Sequence, residues 1–196
     1  MAPKSWPQNI VYLGAPCYSK KLESDTISAA LILCKSDLPN EQARKTNAPY
    51  TNVKITPINV SSHPANGQYG LFANQHLPPD SFILPSLGYV HDQAEIDEES
   101  DYDLSLDRER GIGVDASKMG NEARFINDYR GVSTRANAEF RDIYVDLGND
   151  SLEKRVGVFV LSAGKSGKRT KGIGKSDEIL VSYGKGFWNE RLATQE

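Results

Sequence analysis

All ten prolines of the 196-residue chain fall at or before Pro85, and none follows it. Proline cannot donate to a sheet ladder and breaks helix interiors, so the two stretches must be built differently. Residues 1 to 50 mix prolines with polar stretches such as KSDLPNEQARKTNAP, and only Thr26 to Cys34 (TISAALILC) reads as a buried helix or strand. We expect an arm over residues 1–50, packed on the domain or partly disordered. From about Asn52 short β-like runs dominate (NVKITPINV, GLFA, SFILPSLGYV, DIYVDL, RVGVFVL, EILVSY), separated by Gly, Asn and Asp. Long helical periodicity is absent. The pattern predicts a mostly β fold of many short strands over 51–190, one short helix near Lys118 to Ile126, and a tail at 191–196.

Several functional classes fail on their own spacing. Cys17 and Cys34, with His63, His76 and His91, are scattered without ligand-like spacing, which argues against a zinc cluster or disulfide scaffold. The GKS tripeptides at Gly164 and Gly174 lack the glycine that a phosphate-binding loop needs, since Phe159 and Arg169 stand there. GIGVD at Gly111 lacks the third glycine of a dinucleotide site, and no GxSxG elbow marks a hydrolase. No apolar run approaches the roughly 18 residues of a membrane helix, and the first 30 residues lack a basic-then-apolar leader pattern. The expected location is therefore intracellular, nuclear or cytoplasmic.

The net charge of −3 is too small for bulk attraction to nucleic acid, but it conceals two opposed runs. His91 to Asp107 contains eight acidic residues and no Lys or Arg, while Gly164 to Lys175 carries five basic residues among glycines. Each run alone reads first as a solvated loop.

Three segments carry an unusual set of residues in fixed order. The first is Gln68-Tyr69-Gly70-Leu71-Phe72-Ala73; the second runs from Gly120-Asn121-Glu122-Ala123-Arg124-Phe125-Ile126-Asn127-Asp128 to Asn137-Ala138; the third is Asp177-Glu178-Ile179-Leu180-Val181-Ser182-Tyr183-Gly184. Together they resemble the SET-domain family of lysine methyltransferases over about residues 53 to 190, the central segment most specifically. The resemblance implies small twisted β-sheets around a C-terminal pseudoknot, which would set the second and third segments side by side. It also implies S-adenosyl-L-methionine as cofactor and a narrow channel for the target lysine; because the chain lacks the cysteine-rich flanks with which many members of that family bind zinc, no metal is expected.

In such a site Asn127 and Arg124 suit the cofactor's ammonium and carboxylate. Tyr69, Gly70, Leu71 and Phe72 are expected to present backbone groups to it, joined by Phe125 and by the backbone of Asp128. Trp188 has two readings, an aromatic cover for the adenine or a core residue. Tyr183 is the expected catalytic residue, its ring walling the channel and its hydroxyl orienting the amine. Tyr89, Tyr102 and Val181 are the expected substrate-channel residues; a valine two positions before Tyr183 would leave room for more than one methyl. The segment after Tyr183 and the N-terminal arm are candidates to complete the channel. Gln68 and Ser86 stand where the family has Gly and Tyr, and Asp128-Tyr129-Arg130 replaces its His-Ser-Cys. The acidic run would attract a basic peptide such as a histone tail, and residues 164–175 either contact nucleosomal DNA or form an exposed turn. Two functions remain open: methyl transfer to a lysine of a basic protein, or a catalytically weak or inactive SET-like module that binds a basic peptide.

Overall fold

The computed structural model describes residues 2–22, 27, 30–38, 43–44, 46, 48–164, 171–184 and 187. Among them the chain forms fifteen strands in five small sheets, joined by single turns of 3₁₀ helix. This is the mostly β arrangement the short apolar runs predict. None of the described helices is long and apolar enough to cross a membrane.

The largest sheet is organised by a long hairpin, β13 (Ala138–Gly148) and β14 (Ser151–Val160). Its two-residue turn, Asn149-Asp150, has positive φ at both positions (47° and 62°). Asn and Asp accept that conformation more readily than other side chains, and it matches the twist of the paired strands. β14 also pairs with β3 (Ile32–Cys34) and β7 (Phe82–Ser86), and β13 with β4 (Ala43–Arg44). A second sheet has the order β2 (Cys17–Tyr18), β8 (Tyr89–His91), β10 (Ile112–Asp115), β9 (Asp103–Asp107). One face of it, with Val90, Val114 and Leu106, packs with Leu31 and Val156 in a core of its own.

Three two-stranded units complete the fold: β5 (Val53–Pro57) with β6 (Tyr69–Ala73), β1 (Val11–Tyr12) with β11 (Met119–Gly120), and β12 (Asn127–Asp128) with β15 (Leu180–Val181). Thus strands from the first fifty residues join three of the five sheets. In place of the helix expected near Lys118 to Ile126, the chain makes a short strand and one 3₁₀ turn over Glu122–Phe125. The turn is fixed by Asn121, whose buried side chain donates to the Pro85 carbonyl and accepts from the Leu87 amide.

The β12–β15 pair positions the site. Residues 177–181 run between two partners: Ala73 and Leu71 bond them on one side, and Tyr129 and Asn137 on the other. Asn137 holds the segment three times, through its own amide to Leu180, its Nδ2 to the Glu178 carbonyl and its Oδ1 from the Leu180 amide. Both ends of the 129–137 loop are therefore tied to the last strand, the pseudoknot-like passage that brings the second and third sequence segments together.

Candidate active site

Two cavities meet at this junction. The larger, about 590 Å³, is walled by Gly67 to Tyr69, by Phe125, Asn127 and Asp128, by His63 to Ala65, and by Pro7, Asn9 and Ile10. The smaller, about 80 Å³, has a mainly apolar wall including Leu104, Ile126 and Phe140, with Ser86 at its side. Asp101, Tyr102, Arg124, Tyr183 and Phe187 line both.

Tyr183 stands at the join. Its backbone amide donates to Asp128 Oδ2 (2.8 Å), its hydroxyl donates to the Ile126 carbonyl (2.7 Å), and its ring meets Phe187 edge-on at 4.9 Å. Burial, with Tyr102 and Asp128 adding to it, raises its hydroxyl pKa well above the ordinary tyrosine value, so it stays protonated at neutral pH. Asp128 is held in place by Arg130 at 2.9 Å. Arg124 donates to the carbonyls of Ala116 (2.9 Å) and Ser117 (3.4 Å) and lies 4.5 Å from the Tyr102 ring. Burial is the main influence on its guanidinium and lowers its pKa.

The structure brings together Tyr69, Arg124, Phe125, Asn127, Asp128, Tyr102 and Tyr183, seven of the residues expected at the site. It corrects others. Gly70, Leu71 and Phe72 do not line the large cavity; the residues just before them, Gly67 and Gln68, do. The reason is that β6 is held on one side by β5 and on the other by residues 177–179, which turns Leu71 and Ala73 into the core. Tyr89 lies apart, in a separate cleft of about 210 Å³ with His91, Glu95 and Asp115, stacked on His91. Val181 is fully buried in the main core and lines neither cavity, so the argument for methyl number from its size loses its footing. Trp188 lies outside the described residues, as do residues 165–170 of the basic run.

The acidic run is also less open than its composition suggests. Glu95 accepts from Ser19 and lies 3.5 Å from Lys21, Asp107 pairs with Arg110, and Asp103 faces His91. Glu98, Glu99 and Asp101 are exposed, the last at the mouth of both cavities.

Sequence reasoning named one further wall only by region and missed another. One is the N-terminal arm, seated by Trp6, whose ring packs edge-on against Phe125 (5.5 Å) and Tyr12 (4.9 Å) while its Nε1 donates to the Ile10 carbonyl. A tryptophan in an otherwise polar, proline-containing arm was the available signal. The other is His63, which no periodicity marks.

The SET-domain family model matches residues 68–184, more than half of the chain. The chain belongs to the SET-domain family. Its members are, as a class, lysine methyltransferases that use S-adenosylmethionine. Among solved structures, this SET domain is similar to the polycomb repressive complex 2 of Chaetomium thermophilum, at 24% identity and a TM-score of 0.52, over 72% of this chain and 16% of that one. The same complex in an autoinhibited conformation bound to S-adenosylmethionine aligns over 75% of this chain and 17% of the other, at 24% identity and a TM-score of 0.52. Its apo autoinhibited form aligns at 22% identity and a TM-score of 0.51. The chain spans about a sixth of the length of those chains, and the likeness is one of fold. No curated protein matches it in sequence.

The cavities suit the family's cofactor. A volume of about 590 Å³ lies within the range of small-molecule sites, roughly 300 to 1,000 Å³. Tyr69 and Phe125 supply aromatic surface, Asn127 a polar end, and the smaller cavity a side opening of limited width.

Proposed function

We propose that this SET domain transfers a methyl group from S-adenosylmethionine to the side-chain nitrogen of a lysine in a basic protein segment of the histone-tail kind. The observation that carries the reading is the meeting of a cofactor-sized cavity and a narrow apolar one at Tyr183.

When bound, the cofactor supplies an electrophilic sulfonium methyl. Asn127 and Arg124 would hold its charged end, and Tyr69 and Phe125 would offer surface to its apolar parts. The chain's own residues then have to deliver a neutral amine, because a free lysine has a pKa of about 10.4. In the narrow cavity Leu104, Ile126 and Phe140 withhold water and the Arg124 guanidinium opposes a second positive charge, both favouring the neutral amine against the pull of the Asp101 and Asp103 carboxylates. Because the Tyr183 hydroxyl spends its proton on the Ile126 carbonyl, its oxygen is left as an acceptor for an amine N–H. Tyr183 orients the amine and does not deprotonate it, since burial keeps its own proton on. Alignment of this kind supplies several kcal/mol of a displacement barrier. Asp101, Glu98 and Glu99 favour basic sequence around the target lysine. A histone substrate would set this chemistry in the nucleus.

Incubation with labelled S-adenosylmethionine and core histones, followed by mass spectrometry of the products, tests the reading. Methyl-lysine is the expected result. Cofactor binding without transfer to any basic protein would leave a binding module, and absence of cofactor binding by calorimetry would end the proposal.

A further inference from the structure

A chain of buried hydrogen bonds ends at the wall of the large cavity. Asn127 Nδ2 donates to Glu178 Oε1 at 2.8 Å, and Glu178 Oε2 lies 3.0 Å from His63 Nε2. The two ionisable side chains are only 9% (His63) and 8% (Glu178) exposed. The far ring nitrogen, His63 Nδ1, accepts from the Ala65 amide at 3.0 Å.

That last contact fixes the rest. A ring nitrogen that accepts carries no proton, so the proton of the neutral imidazole sits on Nε2 and is donated to Glu178. An ionised Glu178 only accepts. It therefore requires a donor at each oxygen, and Asn127 must turn its NH₂ towards it. The Tyr69 carbonyl, 3.4 Å from the same nitrogen, occupies the other side of that NH₂. What Asn127 presents to the cavity is its Oδ1, an acceptor. Packing leaves no slack in this arrangement, since a Cβ on Gly70 would lie 2.7 Å from Glu178 Oε1. His63 lies in the β5–β6 connection, ahead of the segment that matches the family model, while Asn127 and Glu178 lie within that segment.

We infer that His63 and Glu178 are positioning residues that, through the side-chain amide of Asn127, commit this wall of the large cavity to the hydrogen-bond-donating, cationic end of its ligand. For S-adenosylmethionine that end is the α-ammonium, not the carboxylate. The inference rests on the cofactor reading of the cavity given above.

The test compares two ligands, S-adenosylmethionine and its analogue lacking the α-amino group, binding by calorimetry to the unmodified chain, His63→Leu and His63→Gln. His63→Leu removes the donor to Glu178 and should weaken S-adenosylmethionine about tenfold or more, while affinity for the deaminated analogue stays within about twofold. His63→Gln can donate to Glu178 and accept from Ala65, and should recover most of the loss. In turnover the Leu variant should raise the cofactor KM and leave kcat unchanged. Should His63→Leu fail to fold, Glu178→Gln carries the same test, because a neutral amide cannot accept from both partners and should show the same ligand-selective loss. Equal weakening of both ligands, or none, would overturn the positioning role. Failure of the unmodified chain to bind S-adenosylmethionine would overturn the cofactor reading, and this inference with it.

Discussion

The β13–β14 hairpin and the β12–β15 pair are opposite solutions to building a sheet. The hairpin joins neighbours in sequence through a two-residue turn and makes ten paired positions; the other joins residues more than fifty apart through two paired positions. Loop closure costs the second far more per hydrogen bond gained. It persists because Asn137, Leu71, Ala73 and Tyr129 add bonds to the same short segment. The hairpin contributes stability that any β protein could use. The short pair contributes placement, and all the chemistry proposed above lies beside it.

If that division is right, substitutions in the two regions should separate catalysis from stability. The largest effect is expected at the junction. Tyr183→Phe keeps the ring against Phe187 and loses the acceptor, and should lower kcat by about a thousandfold, roughly 4 kcal/mol, with cofactor affinity little changed. Undiminished kcat in steady-state assays would remove Tyr183 from the reaction. In the hairpin, Ile143 is buried with Val145 and Phe159 in a cluster separate from the main core. Ile143→Ala should cost about 3 kcal/mol in denaturant unfolding while leaving cofactor and peptide KM unaltered well below the melting temperature. A change in either KM would show that the hairpin also shapes the site.

A smaller effect is expected from the acidic run. Replacing Asp97, Glu98 and Glu99 by Asn and Gln should raise the KM for a basic peptide a few-fold at low ionic strength and flatten its salt dependence. Glu95 is left in place because Ser19 and Lys21 already engage it. Kinetics identical to the parent's at low salt would return the run to ordinary surface.

The smallest effect concerns Glu122, the buried first residue of the site's 3₁₀ turn, which accepts from the Tyr12 hydroxyl at 3.1 Å. Burial raises its pKa above the ordinary carboxyl value of 4.5. The folded chain then binds more protons than the unfolded one from about pH 4.5 upward, so this group's contribution falls as pH rises through that window. Glu122→Gln keeps an acceptor for Tyr12 and removes the dependence. The variant should match the parent near pH 4 and melt slightly higher at pH 7; an equal or lower melting temperature at pH 7 would contradict the assignment.

Much of the fold was legible because its strands announce themselves locally. DIYVDL and RVGVFVL flank a turn whose Asn and Asp suit positive φ, and they became the central hairpin. Most of what was legible of the site lies within the three ordered segments, with Tyr102 the exception from outside them. Asn127, Arg124 and Tyr183 line the cavities, whereas Leu71 and Val181 lie in the core, held there by pairings that no local pattern encodes. Tyr89 was misassigned for a related reason: strand alternation says which residues share a face, not which face borders the cavity. His63 escaped notice, and Pro7 to Ile10 could not be singled out within the arm already offered as a wall, because each is placed by one long-range packing event, at Glu178 and at Phe125.

The passage of residues 177–181 between β6 and the 129–137 loop also imposes a timetable on synthesis. The hairpin and the sheet around β10 can pair as soon as they emerge from the ribosome, but the cavity wall waits for a strand translated some fifty residues after its partner. During that interval β6 exposes an unpaired edge and the loop has nothing to close on. A nascent chain at this stage is the form most open to mispairing and chaperone capture.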